Sequence, residues 1–282
     1  MGTLHLVATP IGNLEDVTLR ALRVLREADR IYAEDTRRTR VLLDRHAIGA
    51  RPRSLHEHNE QTRIAEVLTA LGEGQRVALV SDAGTPLVSD PGARLVAAAI
   101  EAGHVVVPVP GASAPLAALV ASGLPSTHFS FFGFLPRKAG ERDRLLVRLR
   151  DRAETFVFFE SPQRLAATLR ALAAVLGDRR ASVARELTKV HEEHARGTLL
   201  ALAERFADGT RGEVTIVVAG ADAAQQDTPA IADAAALDAR IRALAEQGQR
   251  AKQIAVAIAA EAGIARRDAY ARVVATLRSA RC

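Results

Sequence analysis

The sequence predicts an α/β protein of two domains, with mixed sheets and a small C-terminal helical extension. Three observations carry this. Short apolar runs bounded by turn residues alternate with helix-period segments from residue 4 to about 220, the pattern of strands and helices sharing a sheet. The stretch SGLPSTHFSFFGFLP (122–136) interrupts that alternation with Gly, Pro, Ser and aromatics, placing a boundary near residue 124. After Gly220 the strands cease and the chain turns Ala-rich. The expected divisions are therefore an N-terminal α/β domain (1–123), a C-terminal α/β domain (124–220), and a linker with helical extension (221–282).

Taken in order, strands are expected over 4–8, 30–33, 77–81, 105–109, 129–132, 155–159, 182–184 and 214–219. Helices are expected over 17–27, 61–71, 91–102, 114–122, 141–151, 162–176 and 199–207. The segment 221–239 is acidic and Ala-rich and reads as a linker into a helix. Beyond it, Gly248 and Gly263 fall where helices should stop. Two short helices joined by a Gly-containing turn suit either a helix-turn-helix or a plain helical appendage packed on the body or on a second subunit.

With 282 residues, 48% hydrophobic and 25% charged, the chain can bury a substantial core. No apolar run nears the ~20 residues that cross a bilayer, the N-terminus lacks a basic-then-apolar leader, and Cys282 is the lone cysteine, which excludes an internal disulfide. A cytoplasmic protein is expected. The formal net charge is +5, and the cations are almost all arginine. Guanidinium forks match phosphate oxygens, which suits a polyanionic partner; codon usage in a GC-rich genome would give the same bias.

Three loops stand out. VSDAGTPLVSDPG (80–92) puts Asp90 before Pro91, VPVPGASAP (107–115) puts Ser113 before Pro115, and FFESP (158–162) puts Ser161 before Pro162. Each pair resembles a helix N-cap followed by a first-turn proline. Free N–H groups at such ends face the carboxyl edge of the sheet, where open α/β sheets bind ligands. Gly84 and Gly111 let backbone approach closely. After the first strand, VATPIGNLEDVTLRA (7–21) offers only Gly12 where a dinucleotide site needs G-x-G-x-x-G, and no P-loop is present. An adenosine ligand without phosphates suits these loops better than NAD, FAD or ATP.

VATPIGNLEDVTLRAL, AEDTRRTRVLL, VSDAGTPLVSDPG, VPVPGASAPLAAL, GFLPRK, FFESPQRL, ARELTKVHEE and GEVTIVVAG occur in that order between about Leu4 and Gly220. Together they resemble the tetrapyrrole methylase superfamily and, within it, the ribosomal RNA small-subunit methyltransferase I group. The resemblance implies a two-domain tetrapyrrole-methylase-like fold with S-adenosyl-L-methionine in the cleft between the domains, usually in a homodimer. It implies transfer of the cofactor's methyl group to a cytidine ribose 2′-hydroxyl in 16S rRNA of the 30S subunit. Carried over by motif, cofactor contacts fall at Pro10, Ile11, Gly84, Thr85, Pro86, Val88, Ser113, Ala114, Phe159, Ala184, Val214 and Thr215. The superfamily's Gly-Asp-Pro is here Gly84-Thr85-Pro86, so the Asp side chain is missing.

A ribose hydroxyl is a poor acid, so a base or a charge-stabilising group should assist. Candidates are Glu160, Glu186, Lys189, His191 and Glu192, each of which could equally be a surface charge or a substrate contact. A lysine would act neutral if desolvated or, charged, steady a developing alkoxide. No metal is expected: His191 and His194 lack the i, i+4 spacing of a zinc helix, and HEHNE (56–60) reads as a loop near substrate. RNA contacts are expected at Arg37, Arg38, Arg40, Arg137 and Lys138, with phosphate contacts dominating because aromatics are only 4% of the chain. The rival readings are a small-molecule tetrapyrrole methylase and a non-catalytic RNA-binding assembly factor.

Overall fold

The structure, a computed structural model, describes residues 2–56, 58–221, 234–247, 249–262 and 266–279. The first sheet joins β1 (Thr3–Val7), β2 (Arg30–Ala33), β3 (Arg53–Ser54), β4 (Arg76–Val80) and β5 (Val105–Val109) in the order β3-β2-β4-β1-β5. All pairings between its strands are parallel, while the second sheet is the mixed one. The cause is connectivity: helices α1 (Leu19–Glu27), α2 (Thr36–Arg45), α3 (Glu60–Gly72) and α4 (Ala93–Glu101) carry the chain back before nearly every new strand. Strand β4 is buried on both faces. Ala78 and Val80 pack under Leu22, Leu25 and Leu43, while Val77 and Leu79 pack under Leu71 and Leu95.

The second sheet is mixed, as expected. It orders β6 (Phe129–Phe134), β7 (Thr155–Glu160), β8 (Arg180–Arg185), β9 (Glu193–Thr198) and β10 (Val214–Val218) as β6-β7-β10-β8-β9. Only β6 and β7 pair in parallel, across α6 (Ala139–Leu149). Helices α7 (Leu165–Leu176) and α8 (Leu199–Arg205) close one face over Phe156, Phe158, Val183 and Ile216. The other face takes α5 (Ala114–Ser122): its Ala118 and Leu119 pack with Val157, Ala184 and Val217. This helix follows the first sheet in sequence yet completes the core of the second. Arg196 of β9 fastens it, Nε donating to the Ala121 carbonyl at 3.2 Å.

In the extension, α9 (Ala234–Glu246), α10 (Ala251–Ala262) and α11 (Arg266–Ser279) form a core of their own from Ile241, Leu244, Ile254, Ile258 and Val273. The Asp238 carboxylate accepts from Thr276 Oγ1 at 2.8 Å and Arg272 Nε at 3.2 Å, tying the first helix to the last. The three helices fall on the stretch expected to be all-helical. Most of the linker over 221–239, with Gly248, Gly263 and Cys282, lies outside the described residues. Among the described residues no helix is long and apolar enough to cross a membrane.

Candidate active site

The loops after β1, β4 and β5 converge at the carboxyl edge of the first sheet. Thr9 and Gly84 exchange backbone hydrogen bonds of 2.9 and 3.0 Å, and the Thr9 hydroxyl donates to the Ser81 carbonyl at 2.9 Å. Gly84 has φ +88°, and a Cβ there would sit 3.3 Å from Ile11 Cγ2, so only glycine suits both the conformation and the gap. Thr85 Oγ1 donates to the Ala112 carbonyl at 3.3 Å, joining the second loop to the third. Leu87 and Ser89 also take left-handed φ, 71° and 69°. Such strain in non-glycine residues persists only where surroundings enforce it and gathers at ligand-binding loops.

The expected caps are corrected here. Helix α4 starts at Ala93 behind Gly92 (φ +116°), so Asp90 caps nothing; its carboxyl hydrogen-bonds the Ser81 hydroxyl. Helix α7 starts at Leu165, and Ser161 merely donates its backbone N–H to Glu160 at 2.8 Å. Only Ser113 stands at the start of a helix, α5, with Pro115 in its first turn and no side-chain cap bond.

Opposite these loops lies segment 186–190 of the second lobe, where Glu186 (φ 51°) and Thr188 (φ 67°) are again left-handed. Gly12 fits against it so closely that a Cβ would meet Thr188 Oγ1 at 2.8 Å, while the Asn13 N–H donates to that same oxygen at 3.0 Å. Between the two lobes is a cleft of about 340 Å³, in the usual range for a small-molecule site.

Six of the residues expected at the cofactor line this cleft: Ile11, Val88, Ala114, Phe159, Val214 and Thr215. Of the other six, Gly84, Thr85 and Ala184 build the wall from behind, the first two by shaping the loop and Ala184 within the core shared by the lobes. Pro86 borders a small separate recess with Glu34 and Asp90, and Pro10 and Ser113 are the chain neighbours of wall residues Ile11 and Ala114. Sequence reasoning missed Ser89, Asp90, Leu187 and Glu213, which also line the cleft. Asp90 lies in VSDAGTPLVSDPG, where its place before Pro91 suggests a cap, and Glu213 lies in GEVTIVVAG, where only Val214 and Thr215 are expected as contacts. The lining holds three carboxylates, Asp90, Glu160 and Glu213, and neither lysine nor arginine. That chemistry repels phosphate and suits a cationic sulfonium nucleoside, with apolar and aromatic surface for an adenine. The residues present therefore fit S-adenosylmethionine.

The sequence pattern of the tetrapyrrole (corrin/porphyrin) methylases matches residues 3–203. The chain belongs to this family. A Mesorhizobium japonicum protein named ribosomal RNA small subunit methyltransferase I is 55% identical over 233 residues, covering 82% of this chain and 79% of that protein. A Halalkalibacterium halodurans protein of the same name is 44% identical over 270 residues, covering 95% and 93%. Among solved structures, a cobalt precorrin-4 methyltransferase superposes with a TM-score of 0.58 at 18% identity, covering 77% of this chain and 94% of that one. This last likeness speaks for the methylase fold alone.

In this tetrapyrrole methylase family member, Lys189 lies outside the cleft lining, bordering a neighbouring pocket with Gly12 and Asn13, and reaches the cleft wall through Glu213. Its Nζ pairs with Glu186 Oε1 at 2.8 Å and Glu213 Oε2 at 3.0 Å. Partial burial works to lower its pKa, but the two carboxylates outweigh it and the net shift is upward. Of the two states expected for Lys189, neutral or charged, this environment favours the ammonium. Glu186 moves the other way, pulled down by Lys189 and by the Glu213 N–H, which leaves it a weak base. Glu160 is 2% exposed. One of its oxygens accepts the Ser161 N–H; the other accepts the Thr168 hydroxyl at 2.6 Å and meets Arg164 at 3.3 Å. Its carboxylate is thus engaged within the protein, against a role as base. His191 is exposed, and Glu192 pairs with His194 Nε2 at 3.0 Å on the rim of β9.

The expected RNA arginines divide. Asp35 caps α2 and binds Arg37 through both oxygens, at 3.0 and 2.8 Å, and these bonds hold Asp35 down at about 2. Arg40 pairs with Asp44 at 2.8 Å and Lys138 with Glu141 at 3.4 Å. Among the described residues Arg38 and Arg137 have no ion-pair partner and are exposed. Because α2 is a helix, Arg38 points well away from Arg40 and the three arginines do not form one stripe.

Proposed function

We propose that this chain is an S-adenosylmethionine-dependent methyltransferase acting on RNA of the small ribosomal subunit, with a cytidine ribose 2′-hydroxyl of 16S rRNA as acceptor. The observation that carries the reading is the cleft between the lobes, lined by three carboxylates and no basic side chain. The names of the relatives 55% and 44% identical support RNA of the small subunit as substrate. We further read the chain as a cytoplasmic homodimer, supported by the exposed apolar pair Leu116 and Val120, one turn apart on α5.

When bound, S-adenosylmethionine supplies an electrophilic methyl group on a sulfonium. The chain's part is to hold and to orient. Ile11, Val88, Ala114, Phe159, Val214 and Thr215 would enclose the nucleoside, and Asp90 and Glu213 would face the positive charge. Gly84, Thr85 and the Thr9 bridge keep that wall rigid before ligand arrives. Alignment of this kind is worth up to ~7–11 kcal/mol in a displacement. Lys189, kept protonated by Glu186 and Glu213, provides the positive charge that steadies the ribose oxygen as its proton passes to solvent water and the oxygen takes the methyl group.

The test is transfer of labelled methyl from S-adenosylmethionine into 30S subunits and into naked 16S rRNA, with the modified nucleotide mapped. Label in one cytidine ribose is the expected result. Label in a tetrapyrrole and none in RNA overturns the reading.

A further inference from the structure

We propose that a second groove, opening beside the cofactor cleft and formed by Phe134, Leu135, Pro136, Arg137, Gln163 and Arg164, receives one unstacked pyrimidine base of the RNA, its face against the Phe134 ring. The inference rests on the RNA-methyltransferase reading above and identifies where the acceptor strand is gripped. Its first support is position. Phe134, Glu160 and Ser161 line both the groove and the cleft, so an occupant of one abuts an occupant of the other.

The second support is how Phe134 is presented. Seven of the eight phenylalanines lie on β6 and β7. Five of them are buried or partly covered and Phe129 is 40% exposed, while Phe134 is the most exposed at 59%. A bulge causes this: Phe131 pairs with Val157 and Phe134 with Phe159, three residues on β6 against two on β7. Gly133, at φ +62°, supplies the extra residue and touches Ser89 of the other lobe. Bulges of this kind re-aim a side chain beside a site. Phe159 backs the ring, with centroids 5.6 Å apart, and Phe131 backs Phe159 at 5.0 Å. The ring is therefore a firm shelf, open on one face.

The third support is the polar surround. Arg164 donates to the Leu135 carbonyl at 3.2 Å and pairs with buried Glu160, which fixes one wall. Gln163 is exposed in the turn before α7, and its amide can both donate to and accept from a pyrimidine edge. Arg137 is exposed with no ion-pair partner among the described residues, as a phosphate contact requires. An aromatic face ringed by guanidinium and amide groups is the chemistry that takes a splayed-out RNA base.

The chain contains no tryptophan, so Phe134→Trp installs a single indole on the shelf, excited apart from the two tyrosines. Oligocytidylate should quench its emission, and an abasic strand of equal length should leave it unchanged. Phe134→Ala should raise KM for 30S subunits about 5- to 150-fold, at least ten times more than it changes cofactor Kd, and Phe134→Tyr should restore it. Quenching by the abasic strand, or an indole already shielded from iodide by a second copy of the chain, overturns the inference. So does a Phe134→Ala enzyme that methylates 30S subunits at the wild-type KM, and the RNA reading then survives. If wild-type protein labels no RNA, the reading itself fails and takes this inference with it.

Discussion

Gly12 and Lys189 meet where the two lobes join: a Cβ on Gly12 would fall 2.5 Å from Lys189 Cγ and 2.9 Å from the Leu187 carbonyl oxygen. The loop after β1 thus bears on the segment that carries the candidate ammonium. Gly12→Val should push these loops apart and weaken S-adenosylmethionine binding at least about 10-fold, since misplacing a site by ~1 Å costs on that scale or more. Titration calorimetry on a variant with wild-type circular dichroism reads this, and unchanged affinity would detach the contact from the site.

Lys189→Met removes the positive charge but keeps much of the bulk. Methyl transfer should drop about 10²–10³-fold, the usual loss when a group stabilising a developing oxyanion is deleted. Cofactor affinity should stay close to wild type, and Lys189→Arg should recover part of the rate. Single-turnover kinetics separate this from a binding defect.

Glu160→Gln should keep the acidic limb of the pH–rate profile, because Glu160 is engaged with Ser161, Thr168 and Arg164. A base role would abolish that limb. Thr168→Val takes away the 2.6 Å donor to a buried carboxylate and should cost about 1.5–3 kcal/mol in urea unfolding.

Burial raises the Asp90 pKa from its ordinary 3.8, with the Ser81 hydroxyl opposing and the Asp82 charge adding. The native state therefore holds this proton more tightly than the unfolded chain. The stability linked to it is complete below 3.8 and is lost as pH rises through the native value. Asp90→Asn should flatten that decline in Tm while weakening binding of the cationic cofactor. Melting curves across the range, with and without S-adenosylmethionine, check both signs.

Arg38→Ala and Arg137→Ala should each reduce the slope of log K against log salt for RNA by about 0.7–0.9, one phosphate contact apiece. Arg37→Ala should change it less, its guanidinium being held by Asp35. Filter binding at several salt concentrations distinguishes them.

Strands rich in Val, Ile and Phe were legible in the sequence because burial on both faces leaves an unbroken apolar run: β4, β7 and β10 are examples. Strand β9, EHARGT, was not, for it is a polar edge strand with only Ala195 buried. Helix α2 was hidden likewise: TRRTRVLLDR turns just Thr39, Leu42 and Leu43 inward. The ligand loops announced themselves by Gly, Pro and Ser, yet two of three expected helix starts slipped by two or three residues. Left-handed backbone at Leu87, Ser89 and Gly92 precedes α4, and a turn precedes α7. Half of the twelve residues expected at the cofactor from motif position line the cleft. Asp90 and Glu213 lie in motifs as well, but what marks them out is that they line one cleft from two lobes, which sequence order does not show.

Helix α5 has one further consequence. A gene cut after residue 123 would yield a front half bearing a greasy rod with nothing to lie on and a back half with a bare β-surface. Neither product should survive alone in solution, whereas co-expressed halves should reassemble. Two sheets notwithstanding, the two lobes should melt as one cooperative unit, and whatever opens the cleft should bend around this shared rod rather than pull it free.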